Sequence, residues 1–449
     1  MKQTFILLIL SMSLPLKAAE TTALSLSEAV ERGIKEDNII KTEAARVSGA
    51  RAGLEQAKMS RLGGLKLKGM YTDGTDPVYA FATAMKQGTF SMASLATIND
   101  PAPVRNYMAG IEAGVPLFTG FALSNAAKMG DLGVQAASSG YERARAGITF
   151  KLTYQWLTVL LRARLAELAA ESVKASEEEL KTAQMLKDKG MVLGSDYYGA
   201  EAILSTLKGY KLNWDKALEL EQEKLGIAVG RPGGVMAAGQ LADPGFPALE
   251  RGPLAAAAAG RKDVKALEKM AEIAKVSARM QENSVLPTVE AFGAWETNSE
   301  SLSDFKGNRL VGLRLSMPIG DPAWFAKRDA ARAEASMASS RADEARRQAD
   351  IELAEALNNY KAASESLPVA RETVEKARQS LELFRPLYRQ GRQSVLEVLR
   401  AQASVLQAEA SYYETLYKLN LYRAQALLAA EALDAGAIKQ LSDKLGANN

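Results

Sequence analysis

Two carboxylates hold equivalent places in this chain. Asp196 stands six residues after Gly190, and Glu397 stands six residues after Gly391. The first lies in Lys189-Gly190-Met191-Val192-Leu193-Gly194-Ser195-Asp196 and the second in Gln390-Gly391-Arg392-Gln393-Ser394-Val395-Leu396-Glu397. Ser394 to Glu397 has the spacing of a capping box, in which a hydroxyl and a carboxylate each take one orphan backbone N–H. An acid such as Asp196 in a first helical turn is favoured by the helix dipole. Gly190 and Gly391 suit C-terminal caps of the preceding helices. Other chemistry is scarce. The 449 residues include no cysteine and no histidine. That removes thiol and Ser-His catalysis, the usual transition-metal ligands and any disulfide. An enzyme would have to work with carboxylates or lysines, and no two acids cluster in sequence as a cleft would need. We expect no catalysis, no bound metal and no cofactor. The 56 basic and 53 acidic side chains leave a net charge of +3, a mixed surface with no nucleic-acid footprint.

The elements that would position these acids occur twice. Glu171-Ser172-Val173 returns as Glu372-Thr373-Val374, Leu180 as Leu381, Ala200 as Ala401, and Val115-Pro116-Leu117 as Met317-Pro318-Ile319. The offset is about 201 residues, so one architecture must explain both copies. Residues 20–229 form the first repeat and 251–436 the second. A Gly/Pro linker at 230–250 joins them, and 437–449 is a C-terminal tail. In the first repeat a helix is expected from Leu24 to about Arg61, with Ser25 or Ser27 as cap. Alternating strands follow at about 63–76 and 104–118, separated by a long loop from Asp73 to Pro103. From Phe121 to Lys189 only isolated glycines interrupt a helical pattern, a rod of roughly 100 Å. Another helix runs from near Ser195 to about Val229. The second repeat has a helix from about Leu254 to Asn283 and strands at about 286–298 and 308–320. Then come a helix from Ala323 to Arg389, with Pro368 and Pro386 expected to bend it, and a last helix from Ser394 to about Leu433.

Residues 1–19 read as a signal peptide, with Lys2, an apolar run from Phe5 to Leu16, and small residues at Ala18-Ala19. No cysteine follows, so a lipid-anchored N-terminus is not expected. No later segment is a spanning helix, so entry into a membrane must be by strands. The four strands alternate apolar with polar or small residues, as strands between lipid and a wet lumen do. Tyr71, Tyr107, Phe118, Phe292 and Trp295 are candidates for interfacial belts or for ordinary packing. Four strands cannot close a barrel, since about eight is the smallest filled one. Other copies must complete it: three chains give twelve strands, and by counting alone two chains give eight. A pore-less coiled-coil scaffold would leave the strands unexplained.

The order of elements, the duplication, the Val115-Pro116-Leu117-Phe118-Thr119-Gly120 exit and the paired glycine–carboxylate turns resemble the TolC family of outer-membrane efflux proteins. The resemblance covers nearly all of the chain after residue 19. It implies a mainly α protein with membrane β structure, in which a homotrimer builds a twelve-stranded barrel, four strands per chain, above a long α-helical barrel of coiled coils. It implies a passive channel in the Gram-negative outer membrane, with its helices in the periplasm. The channel would serve a tripartite efflux or type I secretion system with a periplasmic adaptor (membrane fusion protein) and an inner-membrane transporter. By position, Asp196, Glu397 and Tyr388 fall on gate places, and Ser195 on a hydroxyl that holds neighbouring helices together. Gly190, Met191, Gly391 and Arg392 fall on the tips that meet the adaptor. Two departures lie at the gate. Arg400 stands where the family often has a second acid, and Gln393 near where it often has a latching arginine. The apolar residue after the turn glycine is kept as Met191 and replaced by Arg392.

Overall fold

A computed structural model describes residues 22–446. The expected signal peptide, 1–19, lies outside the described residues. In chain order the elements are β1 (Thr22–Leu24), α1 (Leu26–Glu36), α2 (Asn38–Met59), β2 (Gly64–Gly74), α3 (Pro77–Gln87), β3 (Val104–Thr119), α4 (Ala122–Asp188), α5 (Gly194–Ala228), β4 (Val235–Ala237), α6 (Arg251–Ala258), α7 (Lys262–Glu282), β5 (Thr288–Ser299), β6 (Lys306–Ser316), α8 (Ala323–Arg389), α9 (Val395–Ala429) and α10 (Ala435–Gly446). The duplication is visible in lengths: α4 and α8 have 67 residues each, α5 and α9 have 35 each. Contacts divide the chain into two compact units.

The first unit takes the chain up to Ile40, Ala144–Ala259 and the part from Asp350 onward. Its fully buried side chains include Trp156, Leu157, Leu165 and Leu225, while Leu168 and Leu399 belong to a cluster near the helix turns and Leu416 to another with Leu367 and Leu419. The Trp156 Nε1–H donates to the Leu24 carbonyl at 2.9 Å. The helix expected from Leu24 to Arg61 is two helices preceded by a strand. Leu24 pairs in parallel with Ala237 through β1 and β4, so the linker at 230–250 supplies a strand as well as a connection. Ser25 closes a true capping box: Glu28 N–H donates to its hydroxyl, and the Glu28 carboxylate accepts from Ser25 N–H at 3.0 Å. That N–H, with the Ser25 hydroxyl second, holds the Glu28 carboxyl below its ordinary range. Asp37 then breaks the helix in extended backbone, and its carboxylate accepts from Ile39 N–H at 2.7 Å to start α2. The expected tail is mostly helical, because Ile438, Leu441 and Leu445 of α10 bury one face.

The second unit takes Lys41–Arg143 and Gly260–Ala349. It holds one four-stranded antiparallel sheet, ordered β2-β3-β5-β6, in which β3 and β5 join the two repeats. β3 matches the strand expected at about 104–118 and reaches Thr119, with a register shift between Pro116 and Phe118 absorbing the proline. β6 ends at Ser316, short of Pro318. The stretch expected as a loop contains α3. Asp76 caps it by accepting from Tyr79 N–H at 2.7 Å, Pro77 fills the first position, and left-handed Gly88 closes it. The helix expected over Leu254–Asn283 is interrupted between α6 and α7, where buried Arg261 turns its guanidinium onto Asp263 at 2.6 Å.

Candidate functional site: the helix turns and the amphipathic sheet

Both turns are built the same way. Gly190 N–H donates to the Lys187 carbonyl and Met191 N–H to the Leu186 carbonyl, each at 2.9 Å. Gly391 N–H donates to Tyr388 and Arg392 N–H to Leu387, again at 2.9 Å. This six-to-one and five-to-two pair is a Schellman motif, and it needs a left-handed residue at the glycine. Their φ angles are 71° and 69°. Gly190 and Gly391 are therefore helix caps, as their sequence context suggests.

The acids behave differently from a simple capping assignment. Ser394 is the N-cap of α9, but its side chain makes no cap hydrogen bond, so the capping box expected at Ser394–Glu397 does not form. The Glu397 carboxylate accepts from the Arg400 guanidinium instead. Arg400 is well exposed, so this pair contributes at most a few tenths of a kcal/mol. The N-cap of α5 is Leu193, which has no polar side chain to offer, and Asp196 sits half-exposed in the first turn. The two turns are neighbours in the first unit: a Cβ at Gly199 would lie 3.2 Å from a Leu396 methyl, so α5 and α9 approach closely just inside them.

Tyr388, expected at the gate, stands three residues before Gly391. It is almost fully buried, in a cluster with Leu381, Val395, Val398 and Leu399, and its hydroxyl has no hydrogen-bond partner. Burial, with Glu179 nearby, pushes its pKa up. Its counterpart 201 residues earlier is Lys187, whose ammonium lies 4.2 Å from the Tyr197 ring centre and 4.5 Å from that of Tyr198. The repeat positions of those tyrosines are Val398 and Leu399. One turn thus sets a cation on two rings, and the other sets a ring on two aliphatics. The exact offset was the signal that could have found Lys187, Tyr197 and Tyr198. Ser195 is exposed and Gln393 half-buried. The tips differ in chemistry: Met191 and Leu193 are each 70% exposed on the first, while exposed Arg392 marks the second.

Further from the turns, the helices are tied by polar contacts. Arg378 pairs with buried Glu409, Arg385 reaches Gln402 at 3.1 Å, and the Gln402 amide reaches Ser172 at 3.5 Å. Tyr417 and Thr158 share a 3.1 Å hydrogen bond, and burial above all pushes the Tyr417 phenol up to about 12. An unfolded tyrosine titrates near 10. The neutral phenol's contribution is complete below about pH 10 and is lost as pH rises toward 12. Tyrosinate absorbance is expected to lose one late-titrating component in Tyr417→Phe.

The sheet separates two chemistries by register. One face runs from Leu65, Leu67 and Tyr71 through Tyr107 and Ile111 to Trp295 and then Val311, Leu313 and Leu315. The opposite face carries Lys66, Lys68, Glu112, Glu290, Glu296, Asn298 and Arg314, with ion pairs Lys68–Glu112 and Arg314–Glu290. Phe292 falls on this polar face, with the Arg314 guanidinium 5.0 Å from its ring centre, so it is not part of an apolar-face belt. Leu313 and Leu315 are each 71% exposed, a costly arrangement in water. β2 and β6 are the sheet's unpaired edges. Among the described residues no helix is long and apolar enough to cross a membrane, and no cluster of acids could hold a metal ion.

Comparison with known proteins places these features. Residues 254–434 match the family model of outer membrane efflux proteins. No curated protein matches the sequence. Among solved structures, CusC, described in connection with transmembrane channel formation, aligns with TM-score 0.80 at 15% identity over 91% of this chain and 92% of that one. The Campylobacter jejuni CmeC outer membrane channel aligns with TM-score 0.79 at 15% identity over 96% and 94%. The outer membrane protein VceC from Vibrio cholerae aligns with TM-score 0.77 at 15% identity over 91% and 97%. The fold is that of these outer-membrane proteins, and the resemblance to the TolC family read from the sequence holds.

Proposed function

We propose that this chain, resembling as it does the TolC family of outer-membrane efflux proteins, is one third of a passive trimeric exit duct. Its sheet joins those of two other copies in a twelve-stranded barrel in the outer membrane, and its helices form a periplasmic tunnel. A periplasmic adaptor meets the turns at Gly190 and Gly391, and an inner-membrane transporter supplies the energy of a tripartite efflux or type I secretion system. The observation that carries this reading is the sheet: a face apolar from Leu65 and Leu67 across to Leu313 and Leu315, with Asp73, Arg105 and Arg309 toward its loop end, a charged opposite face and two unpaired edges. In lipid an unpaired edge costs several kcal/mol per unsatisfied group, so closure by further copies is the stable outcome. A pore-less periplasmic scaffold would leave that apolar face in water.

Asp196 and Glu397 ring the periplasmic aperture in this reading. Arg400 partly neutralises Glu397, which weakens the cation affinity of the ring. The exposed Met191 and Leu193 give the first tip an apolar contact for the adaptor, and Arg392 gives the second a basic one. The test is single-channel recording of the purified protein in planar lipid bilayers. The wild type is expected to conduct. Asp196→Ala combined with Glu397→Ala is expected to raise conductance or lower the preference for cations. A conducting double variant unchanged in both would leave the acids without a gating role. A wild type that never conducts would contradict the duct.

A further inference from the structure

The polar face of the sheet is not bare. α3, inserted between β2 and β3 at the strand ends remote from the helices, lies across it. Three sets of contacts pin it there. Lys86 pairs with Glu296 of β5 at 2.6 Å. The Gln87 amide donates to the Asn106 side chain at 3.0 Å and to the Arg105 carbonyl at 2.7 Å, and Asn106 in turn donates to Asn298 at 2.9 Å. Asn308 of β6 donates to the Lys86 carbonyl at 3.2 Å. Gln87, Asn106 and Asn298 are all buried, so this network is desolvated and costly to break on one side only. Ala80, Thr83 and Gln87 face the sheet. The other side of α3 shows an apolar stripe, Val78, Phe81 and Met85, at helical spacing, with Val78 76% exposed and Phe81 partly covered by Phe90, whose ring centre lies 5.3 Å away.

An apolar stripe directed away from a charged face needs an occupant. We infer that the occupant is α3 of the other two copies, and that three such helices form an apolar constriction at the outer mouth of the duct. The inference rests on the trimeric reading above. In that reading the charged face turns inward, because lipid requires the apolar one, and α3 is carried into the lumen with it. Twelve strands about 4.8 Å apart and tilted about 40° close into a ring roughly 24 Å across. The inward side chains take about 5 Å from each wall and leave about 14 Å clear, whereas three helices, each about 10 Å wide, need a circle of about 22 Å, so three copies of α3 at the mouth cannot avoid one another. Three copies of α3 therefore fill the mouth and bring Val78, Phe81 and Met85 together near the axis. Such a collar narrows the path and widens when α3 shifts, and an apolar surface of this kind favours amphipathic solutes over bare ions.

The chain has no cysteine, so a single introduced thiol reports without background. Val78→Cys and, separately, Met85→Cys sit on the exposed stripe, where substitution disturbs no buried contact. Each trimer is expected to form an intersubunit disulfide on mild oxidation, seen as a dimer band on a denaturing non-reducing gel. Single-channel current is expected to fall on oxidation and to return on reduction. Glu296→Gln, which loosens the pin, is expected to raise the wild-type conductance. Trimers that conduct, yet cross-link at neither position and keep their current under oxidation, would overturn the constriction and leave the duct standing. Protein that neither trimerises nor conducts would overturn both.

Discussion

Trp156→Ala is expected to cost about 3–5 kcal/mol, the usual loss for a large aromatic removed from a core. Trp156 is 0% exposed. Its indole N–H also satisfies the Leu24 carbonyl, in the strand that the linker's β4 completes. The ring edge lies against Gly239, where an added Cβ would sit 3.3 Å from it and 2.7 Å from the Leu445 carbonyl. One side chain thus ties α4, β1, the linker and the end of α10. At roughly 2–4 °C per kcal/mol for a unit of this size, the thermal transition of the helical signal should fall by on the order of 10 °C. Trp156→Phe keeps most of the packing and removes only the donor, so about 1–2 kcal/mol is expected there. Circular dichroism melts of the three proteins in one detergent make the comparison. Equal melts would mean that the indole does not hold this region together.

Leu313→Arg is expected to abolish assembly in the outer membrane, while Leu310→Arg is tolerated. The two residues are neighbours on β6 and similarly exposed, but register sends them to opposite faces. Leu313 pairs with Ala291 on the apolar face. Leu310 pairs with Ala294 on the face that carries Lys66 and Glu112. A lipid-facing arginine costs about 2–4 kcal/mol near the bilayer midplane. In the proposed trimeric barrel that penalty would occur three times. Folded yield in the outer-membrane fraction is the readout. Equal tolerance of both variants would mean that the Leu313 face does not meet lipid.

What could be read from the sequence followed from signal length. Runs of nearly 70 residues without a strong breaker name a helix almost residue for residue, and α8 was placed at Ala323–Arg389 as found. Period-two alternation located all four strands of the sheet to within a few residues. The failures share a physical cause. β1 and β4 are three-residue strands stabilised by pairing across the chain, which no local pattern records. α3 carried its signals, Asp76, Pro77 and Gly88, but lay in a stretch whose Gly, Pro and Thr content reads as loop. The Ser394–Glu397 spacing is a genuine capping pattern, yet Arg400 lies within reach of the same carboxylate and takes it. Asp196 and Glu397 were placed on their first turns by glycine spacing alone. The burial of Tyr388 was out of reach, because it depends on how four helices converge around it.

The measurement closest to the central claim is the assembly state of the protein extracted from membranes. Run on a gel without boiling, the detergent-extracted protein is expected to migrate as a trimer from the outer-membrane fraction and to collapse to the 48.2 kDa chain, less any removed leader, when boiled. A monomer that stays in the aqueous periplasmic fraction without detergent would contradict the account, because the face bearing Leu313 and the open edges of β2 and β6 would then have to be stable in water.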